Sequence, residues 1–322
     1  MSAAPDVDAI RTPSRRDESL GSVLTALAAN TTIAVAKATA AVLTGSPALL
    51  AETLHTVADA GNEVLLWVAL RRSSRPADPS HPLGYGPERY YWALLAAVGM
   101  FVIGGALSIW EGVNALLAPA PLETFWVGVA VLVIALVLDS VSRAVAVRQL
   151  RRQAAARGIT VRTLLRETPD PTLVTVYLED SIDVLGAALA LLALVLHRAT
   201  GSALPDGVVT IIIGLLLGYV ALRLTTRNRQ LLANQGVPDR YVDQLRRRLT
   251  AIEGVEDVPQ IEAVYLGPGE VLVAADVWMD PRLTGEELTD VLAGIRSDAC
   301  REFPVIARMY LTPVHAQSRM TR

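Results

Sequence analysis

Between residues 20 and 224 the chain is a succession of apolar stretches, separated by short polar connections. A hydrocarbon core roughly 30 Å thick takes about 20 apolar residues of helix to cross. Within lipid, every backbone N–H and C=O must be satisfied inside the segment, which makes the helix the conformation for such a run. Six segments reach that length, at 20–44, 48–70, 90–117, 124–146, 172–196 and 206–224. Composition agrees: 52% hydrophobic residues with a mean hydropathy of +0.39 exceed the roughly 45–50% apolar usage of soluble domains. From about residue 230 onward the density of charge is that of a soluble domain. The expected organisation is a disordered cytoplasmic tail over 1–19, containing Pro5 and Pro13, a six-helix transmembrane domain over 20–226, a cytoplasmic domain over 227–316, and a short tail over 317–322.

Arginine sets the expected orientation, because basic residues collect in cytoplasmic connections. On the side of the termini lie Arg11, Arg15 and Arg16, four arginines between 71 and 89, seven between 143 and 166, and Arg223, Arg227 and Arg229. The other side offers Gly45-Ser46-Pro47, the Ala118-Pro119-Ala120-Pro121 turn and Arg198. Both termini are therefore expected in the cytoplasm, with the chain integral to a cell or inner membrane. The arginine-bearing loops are expected to touch anionic lipid, at roughly 1 kcal/mol per residue near the surface. A net charge of −3 gives no sign of nucleic-acid binding, and Cys300, being the one cysteine, forms no internal disulfide.

The soluble tail reads as α-β-β-α-β. Val242, Leu245, Leu249 and Ile252 fall at helical spacing behind Pro238 and Asp239, giving a helix over 238–252. Strands are expected over 259–266 and 270–279, joined by the hairpin chemistry of Gly267-Pro268-Gly269. Thr284 with Glu287 three residues on is a capping box that opens a helix over 284–302. A last strand over 305–312 completes a two-layer sandwich.

Charges inside the apolar segments carry the functional signal, since each costs at least ~2.5 kcal/mol at the bilayer centre. The second segment holds Glu52, His55, Asp59, Asn62 and Glu63, and the fifth holds Glu179, Asp180 and Asp183. His55 and Asp59, like Glu179 and Asp183, are four apart and share a helix face. Two such pairs facing each other at mid-depth offer an imidazole nitrogen and several carboxylate oxygens, a donor set suited to zinc or a similar cation. A single histidine in a span also serves as a hydrogen bond between helices. Here, however, the one base inside the spans, Lys37, is too little to neutralise the acids, and it is expected to snorkel toward the outer face. Asp139 and Glu111 lie near span ends, where an interfacial or a helix–helix contact is expected of each, and Asp206 reads as the N-cap of the sixth span.

These features resemble a known family. The run Leu50-Ala51-Glu52-Thr53-Leu54-His55-Thr56-Val57-Ala58-Asp59, the loop His81-Pro82-Leu83-Gly84-Tyr85-Gly86-Pro87-Glu88-Arg89-Tyr90 and the α-β-β-α-β tail are similar to the cation diffusion facilitator family, over residues 20 to 313. The resemblance implies proton-coupled efflux of zinc or a related divalent ion by a homodimer. It also implies ferredoxin-like, metallochaperone-like tails that pack together in the cytoplasm, with no resident cofactor. The family's second-span histidine and aspartate map onto His55 and Asp59. Its fifth-span pattern of His or Asp, three residues, then Asp admits two registers here, Val176 to Asp180 or Glu179 to Asp183. The register running to Gly186-Ala187 puts Asp180 at the ligand position, with Glu179 and Asp183 as supporting or proton-carrying groups. The absence of a fifth-span histidine resembles the zinc transporter nine-like branch. Asp78 and His81 match positions that hold a second metal in some members, but Tyr85 replaces a further histidine, so capping of the loop competes with that role. The loop between the fourth and fifth spans carries Arg151, Arg152 and Arg157 instead of histidines, and the tail offers only His315.

Buried carboxylates and a neutral imidazole bind either protons or a dication, and this competition is the physical basis of antiport. Rocking of the site-bearing helices against their neighbours supplies alternating access. The chain has no His-Glu-x-x-His, Gly-x-Ser-x-Gly or phosphate loop, which argues against an enzyme. A non-transporting scaffold or partner subunit is the other reading.

Overall fold

The computed structural model describes residues 31–119, 125–156 and 158–314. The expected tails at 1–19 and 317–322, residues 20–30 of the first segment, Ala120-Pro121, Arg157 and His315 lie outside the described residues. The first helix is described over Thr31–Thr44 (α1). It is followed by α2 (Pro47–Ser73), α3 (Glu88–Leu117), α4 (Phe125–Ala156), the short α5 (Val161–Glu167), α6 (Pro171–Thr200) and α7 (Leu204–Leu232). Among the described residues, α3, α4, α6 and α7 are each long and apolar enough to cross a membrane. With 27 residues, α2 spans about 40 Å at ~1.5 Å per residue, but its apolar character is broken by the charges read above.

Local chemistry sets the helix ends. Ser46 caps α2 by accepting from the Leu49 amide at 3.3 Å, with Pro47 in the first turn. Asp170 caps α6 by accepting from Thr172 at 3.0 Å, and Gly201 closes that helix with φ 67°, a left-handed residue that costs glycine nothing. Several helices outrun their apolar stretches: α4 continues to Ala156 and α7 to Leu232. Their extensions are rich in arginine, glutamine and alanine, good helix formers that propagate the helix past the apolar segment. Asp206 is not a cap: Ala203 holds that position, and Asp206 sits buried in the first turn of α7, ion-paired with His197 of α6.

Helices pack closely where glycines meet. A Cβ at Gly112 of α3 would stand 2.9 Å from the Gly207 carbonyl of α7, and one at Gly214 would stand 2.8 Å from that of Gly105. Seven-residue spacing on both helices therefore lets two backbones touch, the small-residue packing that replaces hydrophobic drive in lipid. The middle of α3, Met100–Ala106, is wound as a π-helix.

Beyond α7 come α8 (Asp239–Leu249), β1 (Val255–Gly267), β2 (Glu270–Met279), α9 (Gly285–Glu302) and β3 (Ile306–Val314). Among the described residues the sheet order is β1-β2-β3, with β1 antiparallel and β3 parallel to the central β2. Val271, Val273, Ala275, Val277 and Met279 alternate inward along β2 onto Leu245, Leu249, Ile295 and Phe303. The capping box on α9 is present: Thr284 accepts from the Glu287 amide at 3.4 Å, and Glu287 accepts from the Thr284 amide at 2.8 Å. The first strand begins four residues before the expected 259. Pro259 sits at a bulge, where the pairing steps from Asp257↔Trp278 to Gln260↔Asp276, so its missing N–H costs the ladder little.

The two units join through the loop before α3. A Cβ at Gly86 would overlap the Leu266 carbonyl at the end of β1, so the backbones are in direct contact there. Tyr90, fully buried at the start of α3, belongs to the apolar core of the sheet unit, as does Leu231 of α7. Arg240 of α8 pairs with Glu167 of α5, and Arg308 donates to the Pro82 carbonyl at 3.4 Å.

Candidate metal centre

One face of α2 carries Glu52, His55, Thr56, Asp59 and Asn62, all buried, at the three- and four-residue steps of a helix. It faces α6, whose Glu179, Asp183 and Gly186 follow the same spacing. Gly186 sets the approach: a Cβ there would overlap the Glu52 carboxylate, so only glycine lets α6 come this close.

At the centre stands His55, its side chain fully enclosed. Its Nε2 is 2.9 Å from Asp183 Oδ1 and its Nδ1 is 3.4 Å from Asp59 Oδ1. Neither contact is aligned as a hydrogen bond, so the ring nitrogens are close to carboxylate oxygens without being spent on them. One ligand atom from each of His55, Asp59 and Asp183 lies within 4.8 Å of the others. Zinc takes nitrogen and oxygen donors at about 2.0–2.2 Å, so a small inward shift of three side chains would bring all three atoms onto a single cation.

The neighbours of this triad are polar. Asn62 donates its amide to Glu179 Oε1, tying α2 to α6 one turn further along. The other carboxylate of the fifth segment is turned away: Asp180 accepts from Ser142 of α4 at 3.1 Å. The three acids of α6 thus divide into Glu179 and Asp183 toward α2, and Asp180 toward α4.

Lys37 departs from the sequence reading. It does not snorkel; 1% exposed, its Nζ stands 3.0 Å from Glu52 Oε2 and donates to Thr56 Oγ at 3.0 Å. A buried ammonium stays charged only beside an acid, and Glu52, one turn before His55, is that acid. The signal was present in the sequence, as the one span-interior base and a glutamate adjoining the ligand face. Asp139 lies on α4 with a buried Oδ2 that accepts no hydrogen bond.

Asp78 and His81 form a closed turn in the loop after α2. The Asp78 carboxylate accepts from the Ser80 hydroxyl at 2.6 Å, the Tyr85 hydroxyl at 2.7 Å, and the Ser80 and His81 amides at 2.9 and 2.8 Å. Those bonds, the Ser80 hydroxyl first, hold its carboxyl well below the usual carboxylate range. The His81 ring stacks on Tyr85 with centroids 4.1 Å apart. These groups are engaged with one another.

A helical membrane unit with an imidazole between carboxylates on facing helices is the context in which the chain's relatives are informative. Residues 23–233 match the family of the cation efflux transmembrane domain. The chain belongs to that family. Its relatives include a mouse (Mus musculus) protein named proton-coupled zinc antiporter SLC30A9, mitochondrial, 33% identical over 242 residues, covering 75% of this chain and 43% of that protein. Metal tolerance protein C4 of Arabidopsis thaliana is 33% identical over 232 residues, 72% of this chain and 51% of that protein. The cation-efflux pump FieF of Klebsiella pneumoniae is 28% identical over 231 residues, 70% of this chain and 69% of its own length. The chain therefore spans about half or less of the first two. The cation efflux family is the cation diffusion facilitator family that the sequence resembles.

Proposed function

We propose that this protein exports a divalent metal ion, zinc in the first instance, in exchange for protons, and that His55, Asp59 and Asp183 hold the ion. The observation that carries the reading is the convergence of these three side chains, His55 and Asp59 buried and Asp183 partly so, between α2 and α6 in a chain of the cation efflux family. Relatives named as proton-coupled zinc antiporters support the choice of ion and of coupling. Glu179, held by Asn62, and Asp180, held by Ser142, orient the ligands and accept protons. The geometry favours the register through Glu179 and Asp183.

Chemistry follows from competition. A dication arriving at His55, Asp59 and Asp183 replaces the protons held there, because metal ligation requires a neutral imidazole and ionised carboxylates. When the site faces the opposite side, protons return to the same atoms and the metal leaves. The Lys37–Glu52 pair remains outside the ligand set: Lys37 neutralises Glu52, so the carboxylates left around His55 are those of Asp59, Asp183 and Glu179. The remaining parts of the reading are six spans, both termini in the cytoplasm, and a homodimer whose units at 227–316 pack together. Asp78 and His81 then serve to close the loop.

The test is flux. In proteoliposomes loaded with a pH-sensitive dye, external zinc should enter while the lumen becomes alkaline. Zinc entry without a proton signal would remove the coupling, and no entry for any metal in a panel of zinc, manganese, iron, cobalt and nickel would remove transport.

A further inference from the structure

Where the membrane helices meet the sheet unit, α5, the start of α6 and the last turns of α7 enclose a cavity of about 510 Å³. Arg162, Arg166, Arg223 and Arg227 line it, over an apolar floor that includes Leu165 and Leu224. Arg227 is anchored by donating to the Leu165 and Thr168 carbonyls, and its charge and that of Arg223 repel each other. Arg162, Arg166 and Arg223 are exposed, and among the described residues no carboxylate pairs with them. The acids nearby are committed elsewhere: Glu167 to Arg240, and Asp170 to Arg89 at 3.6 Å.

Depth matters as much as charge. The apolar stretch of α7 ends where Arg223 begins, and Asp170-Pro171 opens α6 at the same end, so the cavity lies at the level of lipid headgroups. Guanidinium forks match the oxygens of a phosphate. A pocket with a cationic rim and an aliphatic floor accommodates the two ends of a phospholipid together.

We propose that this cavity is a binding site for a phosphate ester, filled in the membrane by the headgroup of an anionic phospholipid. Its phosphate lies among Arg162, Arg166 and Arg223, and its acyl chains follow Leu165 and Leu224. Because Tyr265 of β1 also lines the cavity, the bound lipid touches both units at their junction. The site is independent of which ion is carried.

The experiment uses the full chain in detergent with equal amounts of phosphatidylglycerol and phosphatidylcholine, and reads retained lipid by native mass spectrometry. Wild type should retain phosphatidylglycerol selectively, and Arg162→Gln/Arg166→Gln/Arg223→Gln should lower that retention by roughly tenfold or more. Arg148→Gln/Arg151→Gln, at the same end but outside the cavity, should retain it. In a lipid-free arm, millimolar inorganic phosphate is added and melting temperature is read. Stabilisation of wild type but not of the triple variant, without selective phosphatidylglycerol retention, would assign the site to free phosphate. No selectivity in wild type and no phosphate response overturns the proposal, as does equal loss of lipid in the control variant.

Discussion

The two units of this chain fill their interiors with different materials. The sheet unit is packed with Val271, Val273, Val277, Leu245, Ile295, Phe303 and Met309, and none of its described acidic or basic side chains is buried. The membrane unit packs Ala40, Ala51, Ala97, Ala190 and Ala193 between its helices and encloses Lys37, Glu52, His55, Asp59 and Asn62. Water drives the first interior together through apolar area. Lipid supplies no such drive, so the second depends on small residues that admit close contact and on polar groups that satisfy each other. Damage should divide accordingly, with changes in one unit costing stability and changes in the other costing transport.

The largest expected effect is on transport: His55→Ala or Asp59→Ala should abolish zinc-driven proton flux in proteoliposomes, while the melting of the sheet unit stays unchanged. Loss of both together would erase the division. Next, Ile295→Ala, at a residue 1% exposed, should destabilise the sheet unit by about 2–5 kcal/mol, seen as a lower denaturant midpoint, with flux preserved under conditions where that unit remains folded. Gly186→Ala should push α6 away from Glu52 and reduce flux severalfold without unfolding; wild-type flux would show that the helices have slack. Smallest, Thr284→Ala should cost the sheet unit about 1 kcal/mol through its helix cap. The Arg282 hydrogen bonds hold Asp280 at about 2, below its ordinary 3.8. Its contribution is therefore full above about pH 4 and fades as pH falls toward 2; the pair is exposed, so acid titration of the sheet unit in that window should show only a slight fall in its denaturant midpoint from this group.

The reach of the sequence was uneven for physical reasons. Long apolar runs, the Gly267-Pro268-Gly269 hairpin and the Thr284–Glu287 cap are local signals, and each corresponds to an element of the structure. Local patterns leave the facing of a helix open. Glu179, Asp180 and Asp183 occupy one broad arc of α6, and what separates them is packing: Gly186 sits three residues beyond Asp183 on the side pressed against Glu52, whereas Asp180 meets Ser142 of a different helix. Lys37 misled the reading because snorkelling and pairing look alike in one dimension; the choice is made by Glu52 and Thr56 arriving within 3.0 Å. Pro259 hides the first residues of its strand from a local pattern, because a bulge is a property of the pairing. Tyr90 belongs to a core formed mostly by residues far along the chain, a contact that no local pattern announces.

In the proposed site the ion is held through Asp183 and not through Asp180. The most direct measurement compares zinc-driven proton flux in proteoliposomes for Asp183→Asn and Asp180→Asn, each confirmed folded by the wild-type elution volume and melting temperature. Asp183→Asn should be inactive, because an amide replaces a carboxylate 2.9 Å from His55 Nε2, while Asp180→Asn should keep most of its flux. An inactive Asp180→Asn beside a normally transporting Asp183→Asn would contradict it.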